Sequence, residues 1–325
     1  MTTKTAVTSA IGIGLMCLAV VPLLAQQFAN SQSTISEEAG RIVITRPHSY
    51  LGDGAALSFD GKLLAYIGED NGLYLRDLAH KSEQLLVREV DGGLTVFSGP
   101  NFSSNGEQLY FAASGGTSSY PSNIYVVTLA NGTIRQVTHA VRNGESQADQ
   151  PGRPYKEYFS TPLASPDGSG RVLVRERDAV LEKDFMAVVD ESSGNVTTLA
   201  EGTPIGWTSS GMQAYCSTQD GVELLNIAGG SVVRVLSGDG ARVVGLVSDS
   251  IVEVQDHLVF SRSGGSPIAL RLDGVRQVST GGTGVSKESL LPLRQVQQTP
   301  DGRHMLAVYD DGTTEQIVIS SSAQQ

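Results

Sequence analysis

The sequence predicts an all-β protein assembled from six copies of one four-stranded antiparallel unit. Three observations lead to this prediction: a turn motif that recurs along the chain, a composition suited to short strands, and a regular spacing of the turn glycines. Aromatic residues make up only 6 % of the chain, whereas its 325 residues include 37 glycines. Such a composition, which is also rich in Ser, Thr and Val, favours short strands and tight turns over long helices.

The recurring motif consists of a short apolar stretch, a two-residue turn that ends in glycine, and a second run of β-forming residues. Its turns contain the pairs Asp60-Gly61, Asn105-Gly106, Asp167-Gly168, Ser210-Gly211 and Asp301-Gly302. A two-residue hairpin turn requires positive φ angles, which glycine and asparagine tolerate best. Each pair therefore predicts a hairpin between the first two strands, A and B, of one copy.

The spacing of the turn glycines indicates the architecture. They stand at positions 61, 106, 168, 211 and 302, so that successive intervals are 45, 62, 43 and 91 residues. The longest interval predicts a degenerate copy near Ser250, and the interval of 62 predicts one repeat with an insertion. A period of about 45 residues with four strands per copy is typical of β-propeller blades. The sequence therefore predicts a six-bladed β-propeller over residues 41–320, with four-stranded antiparallel blades.

The second half of a copy predicts a third and a fourth strand, C and D, with their own turn. In copy 2 a β-forming run from Asn123 to Leu129 continues through a turn into residues 134–138. The last copy is one strand short, because residues 315–319 supply only its third strand. We expect the N-terminal strand 41–45 to fill the missing edge and close the ring, which would leave no open edge there.

Two of the turns also resemble a known repeat. The Ser-Pro-Asp-Gly turn at 165–168 and the Thr-Pro-Asp-Gly turn at 299–302 are similar to the turn of TolB-like, WD-type propeller repeats, which also occur in dipeptidyl peptidase IV relatives. The resemblance covers about residues 50–320. It implies a six-bladed, periplasmic or secreted propeller that binds proteins or peptides. It implies no catalytic residue, because the shared motif is a turn.

The first 25 residues predict a secretory signal peptide. Lys4 is the only charge before Glu37, and residues 10–25 are nearly all apolar and end at Ala25, a small residue where a peptidase would cut. A bilayer crossing needs about 20 apolar residues, and this run is shorter. An uncleaved membrane anchor formed by residues 5–25 is the alternative, and in both cases the protein is expected in the periplasm or outside the cell.

The remaining boundaries follow from the repeat. Residues 26–40 are expected to be a linker, and residues 321–325 a disordered tail. TolB proteins carry a separate α/β domain ahead of the propeller, and the short linker predicted here leaves no room for one.

The sequence predicts no catalytic site, no metal site and no cofactor. The five histidines are at least 32 residues apart, and the chain has no H-E-x-x-H or C-x-x-C pairing and no G-x-S-x-G elbow. The net charge of −11 argues against a nucleic-acid partner. Cys216 lies in an apolar run and is expected to be a small buried hydrophobe. We therefore expect a protein that is not an enzyme.

Loop length predicts where a partner binds. In a four-stranded blade the A–B and C–D turns lie at one end of the strands, here called the turn face, and the B–C and inter-blade connections lie at the other end, the loop face. The longest connections, 114–122, 139–159 and about 175–184, all belong to the loop face. Tyr and Arg are enriched in binding hot spots. The predicted partner-binding residues are His139, Arg142, Arg153, Tyr155, Lys156, Tyr158, Tyr120, Arg175 and Arg177.

Three functions remain open on the sequence alone. The favoured one is an exported, non-catalytic propeller that binds a protein or peptide through the loop face. The alternative is an enzyme or a small-ligand-binding protein with a site in the central channel, which a bound metal or a buried cluster of three acidic groups would favour. A structural subunit of an envelope complex is the third.

Overall fold

The computed structural model describes residues 34–38, 41–47, 54–68, 70–88, 94–115, 122–140, 157–237, 242–247, 249–255, 258–262, 268–269, 276–280, 286–290 and 292–321. These residues form β-strands and contain no helix, which confirms the predicted all-β class. No helix long and apolar enough to span a membrane occurs within these ranges. The predicted signal peptide, residues 1–25, lies outside them.

Four sheets contain four strands each, and neighbouring strands pair in antiparallel fashion in the order of the sequence. Sheet 1 consists of β3 (Ala55–Leu57), β4 (Leu63–Ile67), β5 (Leu73–Asp77) and β6 (Ser82–Val87). Sheet 2 consists of β7 (Leu94–Phe102), β8 (Gln108–Gly115), β9 (Ser122–Thr128) and β10 (Thr133–Gln136). Sheet 3 consists of β11 (Glu157–Ala164), β12 (Arg171–Asp178), β13 (Lys183–Asp190) and β14 (Val196–Glu201). Sheet 4 consists of β15 (Thr203–Trp207), β16 (Gln213–Thr218), β17 (Gly221–Asn226) and β18 (Val232–Ser237).

The last part of the chain and the two N-terminal strands together form one nine-stranded sheet, which we treat as two halves. Sheet 5 consists of β19 (Arg242–Val247), β20 (Ser250–Gln255), β21 (Leu258–Arg262) and β22 (Ile268–Ala269). Sheet 6 consists of β25 (Leu293–Gln298), β26 (His304–Asp310) and β27 (Thr314–Ser321), followed by the N-terminal strands β2 (Arg41–Pro47) and β1 (Thr34–Glu38). In the sequence between sheets 5 and 6, β23 (Arg276–Thr280) and β24 (Ser286–Leu290) form a separate hairpin.

The two halves are joined by a short parallel pairing between β19 and β25. Gly245 faces Val296, and Leu246 faces Gln297. A Cβ on Gly245 would come within 2.0 Å of the Val296 carbonyl oxygen, and the φ of Gly245 is +151°. Only glycine allows the two backbones to approach so closely.

The N-terminal strand β2 lies where the sequence predicts it, beside the C-terminal strand. It pairs with β27 from Arg41 opposite Ser320 to Pro47 opposite Thr314. Strand β1 then adds to its outer side, and it lies within residues 26–40, which the sequence predicts to be a linker. The pattern does not reveal β1, because Ile35 is its single apolar residue and is 41 % exposed.

The recurring turns are built alike, but they are not the predicted two-residue hairpins. In sheet 1, the Gly61 amide donates to the Ser58 carbonyl at 2.8 Å, and the Ser58 hydroxyl donates to the Asp60 carboxylate at 2.7 Å. Of each Asx-Gly or Ser-Gly pair, only the glycine has a positive φ. These φ values are 71° at Gly61, 72° at Gly106, 71° at Gly168, 69° at Gly211 and 70° at Gly302. The motif is therefore a longer turn that a side-chain hydrogen bond stabilises from within.

The degenerate copy behaves differently. Strands β19 and β20 are separated by two residues, and the second of them, Asp249, has a φ of 59°. This copy thus has the two-residue connection that the sequence analysis expects of the others, with aspartate in the left-handed conformation that glycine usually takes.

The apolar core lies between consecutive sheets. One cluster joins Leu73 of sheet 1 to Phe111 of sheet 2, and comparable clusters join sheets 2 and 3, 3 and 4, 4 and 5, and 5 and 6. A further cluster joins Leu306 of sheet 6 to Leu64 of sheet 1. Each fully buried Leu or Phe side chain contributes about 1.5–3 kcal/mol, so these contacts between sheets hold the fold together. Cys216 is fully buried within the cluster between sheets 3 and 4, as predicted.

Candidate functional site

A cavity of about 820 Å³ lies where the first strands of the sheets face one another. It is lined by residues of β7, β11, β15, β19 and β25, together with Gly54 immediately before β3. Its residues extend from the turn face, at Pro166 and Pro300, to the loop face, at Gly312. Sites for small molecules usually have volumes of about 300–1,000 Å³, so this cavity is large enough for one.

The five first strands that line the cavity each contain a β-bulge. Each of the strands β7, β11, β15, β19 and β25 shifts register once or twice against the second strand of its sheet, so that one to three of its residues are left out of the pairing. The omitted residues that line the cavity are Gly99, Pro100, Thr161, Pro162, Ile205, Val244 and Arg294. Bulges change the direction of side chains and are common beside functional sites. Arg294 is the charged member of this set.

Side-chain hydrogen bonds connect the first strands of neighbouring sheets. The Gln295 amide accepts from the Ala55 amide at 3.3 Å and donates to the Ala55 carbonyl at 2.8 Å, and Gln297 makes the same pair of bonds to Leu57. These two amides replace the backbone ladder that a paired strand would supply. Between sheets 2 and 3, Asn101 accepts from the Ala164 amide at 2.8 Å.

The cavity also contains Trp207, the one tryptophan of the chain. Its indole nitrogen donates to the Leu163 carbonyl at 2.8 Å, and the Arg171 guanidinium lies 5.3 Å from its ring centroid. Arg171 is itself paired with Asp167 at 2.6 Å. The Trp207 ring is thus a fixed aromatic wall at the turn-face end of the cavity. The cation beside it, Arg171, already has a carboxylate partner.

Two arginines occupy the loop-face end. Arg242 begins β19, and Arg294 is the second residue of β25. Arg242 donates from its guanidinium to the Leu293 carbonyl, and Arg294 donates from Nε to the Asp310 carbonyl at 3.0 Å. Within the described ranges neither side chain has a carboxylate partner. Arg242 is an exposed residue, but the partial desolvation of its guanidinium, and then the nearby charge of Arg294, lower its pKa.

The carboxylates of the cavity are already engaged. Glu315 is ion-paired with the buried Arg46, and Asp310 accepts from the Gly312 amide at 2.7 Å. At the turn face, Asp249 accepts from the Ser209 amide and hydroxyl, both at 2.7 Å. Over the described residues no group of three or more His, Cys, Asp or Glu side chains is arranged to hold a metal ion.

Three of the predicted partner-binding residues come together at the loop-face end of sheet 3. Tyr158 of β11 lies opposite Arg177 of β12 in the register, and Arg175 lies two residues from Arg177 on the same face. Asp184 of β13 pairs with Arg175 at 2.8 Å and with Arg177 at 3.4 Å. His139 is exposed beyond the end of β10. The other predicted residues, Tyr120, Arg142, Arg153, Tyr155 and Lys156, lie outside the described residues.

One predicted loop is shorter than the sequence analysis expects. The connection placed at about residues 175–184 contains only residues 179–182, because β12 and β13 continue to Asp178 and Lys183. The Asp178 carboxylate accepts from the amides of Val180 and Leu181 at 2.8 and 2.9 Å and so fixes a tight turn.

This turn exposes two apolar side chains that the sequence analysis does not single out. Val180 is 54 % exposed and Leu181 is 59 % exposed. The sequence marks this pair only by its position, since two apolar residues follow closely after the charged run 175–178. Val180 and Leu181, together with Tyr158, Arg175 and Arg177, are referred to below as the sheet 3 patch.

Comparison with known proteins supports the fold. No family model and no curated protein matches the chain. A structure of oligogalacturonate lyase in complex with manganese matches 83 % of this chain and 77 % of its own at 14 % identity, with a TM-score of 0.54. A TolB-type protein from Agrobacterium tumefaciens matches 82 % and 88 % at 16 % identity, with a TM-score of 0.52.

The calcium-binding protein regucalcin from the same organism matches 84 % of this chain and 92 % of its own at 13 % identity, with a TM-score of 0.51. At such low identity these similarities show the β-propeller fold and nothing finer. The predicted β-propeller fold is therefore confirmed. The six blades, the closure of the ring and the specific resemblance to TolB-like and dipeptidyl peptidase IV repeats stay predictions.

Proposed function

We propose that this chain is an exported, non-catalytic six-bladed β-propeller that binds a protein or peptide through its loop face. The observation that carries the proposal is the sheet 3 patch, where two exposed apolar side chains lie beside a tyrosine and two arginines. Exposed apolar residues next to aromatic and arginine side chains are the composition of binding hot spots. The insertion predicted at 139–159 leads into β11 at this same end of sheet 3.

The six-bladed ring is proposed because the apolar clusters follow one another from sheet to sheet and return to the first. The cluster between sheets 6 and 1 and the Gln295 and Gln297 hydrogen bonds support closure at that junction. Strand β2 would act as the closing strand, since it adds an N-terminal edge to the C-terminal sheet.

Deletion of residues 41–46 tests the closure. The variant loses the pairing with β27 and the ion pair of Arg46 with Glu315, so we expect a sharp fall in the melting temperature. Deletion of residues 34–38 removes only the outer strand β1 and is the control, for which we expect a small change. An unchanged melting temperature after the first deletion would contradict closure by β2.

Affinity capture tests the binding function. Residues 26–325 serve as bait against envelope extracts, beside a bait that lacks residues 140–156 and a bait with Val180→Ser and Leu181→Ser. A matched control carries Val232→Ser and Val233→Ser, which are 50 % and 58 % exposed at the turn-face end of sheet 4. We expect a partner that the first and the control baits retain and the other two lose. A partner retained by all four baits would place binding elsewhere.

Export is the other part of the proposal, and it rests on residues 1–25. Cell fractionation of the full chain, with N-terminal sequencing of the mature protein, checks it. We expect a mature protein that begins after Ala25 in the periplasmic or secreted fraction. Recovery from the cytoplasm with Met1 intact would oppose export.

A site in the central channel, for an enzyme or a small-ligand-binding protein, is the second candidate function. The observation that favours it is the cavity itself, whose volume of about 820 Å³ and mixed apolar and polar lining suit a small molecule. Ligand screening on the purified protein separates it from the first candidate, because capture of a partner through the sheet 3 patch does not depend on the cavity.

A further inference from the structure

Arg242 and Arg294 differ from most of the described basic side chains. Ion pairs are formed by Arg46, Lys62, Arg76, Lys81, Arg135, Arg171, Arg175, Arg177, Lys183, Arg234 and Arg303. Arg242 and Arg294 instead donate to backbone carbonyls. In a chain with a net charge of −11, two neighbouring cations without a carboxylate partner in the described structure call for an explanation.

The two side chains are held in place without being neutralised. Each uses a single nitrogen for its backbone hydrogen bond, Arg242 to Leu293 and Arg294 to Asp310. A guanidinium has five N–H donors, so most donors of both groups stay available. A carbonyl fixes the direction of the group but leaves its full positive charge, and mutual repulsion then makes an incoming anion more favourable. Partial desolvation lowers the pKa of Arg242, and the charge of Arg294 adds to this effect.

We propose that Arg242 and Arg294 bind the carboxylate of a small organic ligand at the loop-face mouth of the cavity. The planar guanidinium fork matches the two oxygens of a carboxylate. This inference deepens the second candidate function, the channel site, and does not depend on whether the sheet 3 patch binds a protein.

The rest of the cavity specifies the remainder of the ligand. Two residues after each arginine in its strand, the wall contains Val244 and Val296, which are 6 % and 3 % exposed. Farther along, Trp207 supplies an aromatic wall, and Asp249 brings a negative charge to the turn-face end. Asp310 brings a negative charge to the loop-face end as well, but the two arginines outnumber it there. A ligand carboxylate is therefore attracted at the loop-face end and repelled at the turn-face end. The cavity therefore suits a monocarboxylate with an apolar or aromatic body, whose charged end points toward the loop face.

Paired probes test the proposal on the whole mature chain. Benzoate and octanoate are compared with benzamide and octanamide, which have nearly the same size without the charge, and with inorganic phosphate. Binding is followed by the fluorescence of Trp207, the single tryptophan, and by the shift in melting temperature. We expect an acid to bind at least about tenfold more tightly than its amide, because a hydrogen bond to a charged group contributes about 1.5–3 kcal/mol.

Variants assign the preference to the two arginines. Arg242→Gln with Arg294→Gln should abolish the preference for the acid, whereas Arg242→Lys with Arg294→Lys should retain part of it. Arg303→Gln on the turn face changes the net charge in the same direction and should leave the preference intact, since the Arg303 side chain is 81 % exposed and pairs with Asp301. Melting curves identify any variant that fails to fold, and the lysine pair then carries the comparison.

The outcomes separate the two levels of the proposal. Equal binding of an acid and its amide to the native protein would overturn the carboxylate site and leave the channel function standing. Binding of phosphate alone would also overturn the carboxylate assignment. Failure of every probe to bind would overturn both the carboxylate site and the channel function.

Discussion

The two ends of the cavity are formed by the same strands, yet they handle charge in different ways. At the turn face, Asp167 accepts hydrogen bonds from Ser165 and Arg171, and Asp301 accepts one from Thr299. At the loop face, Arg242 and Arg294 contact backbone carbonyls. The turn face repeats one motif in five of the six sheets, whereas the B–C connections of the loop face that the structure describes differ in length from sheet to sheet. The comparison indicates that the turn face serves the fold, whereas the loop face combines one buried framework pair, Arg46 with Glu315, with two cations that we propose to serve binding.

Loss of the buried ion pair of Arg46 with Glu315 should cause the largest fall in the free energy of unfolding. It lies at the loop-face end, both side chains are 2 % exposed, and Arg46 also donates to the Ile67 carbonyl. Arg46→Met leaves a buried carboxylate without its partner, so we expect a loss of about 3–5 kcal/mol in the free energy of unfolding, measured by chemical denaturation.

Replacement of both partners provides the control for this pair. Arg46→Met with Glu315→Leu removes both charges and should be far less destabilising than the single change. If the double variant were as unstable as the single variant, lost packing rather than the unpaired charge would be the cause.

Substitution of a turn glycine should destabilise the protein less, and the loss of stability should depend on whether that turn contacts a neighbouring turn. A Cβ at Gly211 would lie 2.8 Å from the Asp167 carboxyl carbon and the Ser165 hydroxyl, whereas a Cβ at Gly106 would meet nothing within 4 Å. Both glycines have φ near 70°, at 69° and 72°. Gly106→Ala should therefore cost only the backbone strain, about 1 kcal/mol.

Gly211→Ala should cost more, about 2–3 kcal/mol, because the turns of sheets 3 and 4 must also separate. Thermal or chemical denaturation of the two variants measures the difference. Equal losses would show that the turns act independently of one another.

The turn face should also govern the response to acid, with a smaller effect for each residue. Partial burial raises the pKa of Asp167, but hydrogen bonds from Ser169, Ser165 and Arg171 outweigh it and hold this pKa well below the ordinary value. The pKa of Asp301 is also lowered, chiefly by the Thr299 hydroxyl. A folded pKa below the unfolded value of about 3.9 gives stability that is present above that pH and is lost as the pH falls toward the folded pKa.

Melting temperatures between pH 5 and pH 2 test this sign. The native protein should lose stability as the pH falls below about 4, and Asp167→Asn should flatten this part of the curve at the cost of lower stability at pH 7. Arg242→Gln should leave the shape of the curve unchanged, because Arg242 stays charged throughout this range. If the melting temperature of Asp167→Asn fell below pH 4 as steeply as that of the native protein, the role given to the turns would be contradicted.

Much of the fold follows from local sequence signals. The turn glycines place the first two strands of each copy, and the Asn131-Gly132 turn places β9 and β10, since a short turn and its flanking strands are encoded within about 15 residues. Strand β1 and the hairpin of β23 and β24 were missed. Their residues are mostly polar, so neither alternation nor an apolar run marks them.

The candidate sites were predictable only in part. The charge and tyrosine pattern identified Tyr158, Arg175 and Arg177, which the register then brings together at one end of sheet 3. Arg242 and Arg294 were missed, because their place in the cavity depends on bulges and on the parallel pairing of two distant segments. Neither feature has a local sequence signature.

The free energy of unfolding of the Arg242→Gln, Arg294→Gln double variant tests the central distinction between the two ends most directly. If these arginines serve binding and not folding, the variant should differ from the native protein by less than about 1 kcal/mol, as expected for exposed cations. A loss of about 3 kcal/mol or more, comparable to that of Arg46→Met, would show that the pair is part of the framework and would contradict the account.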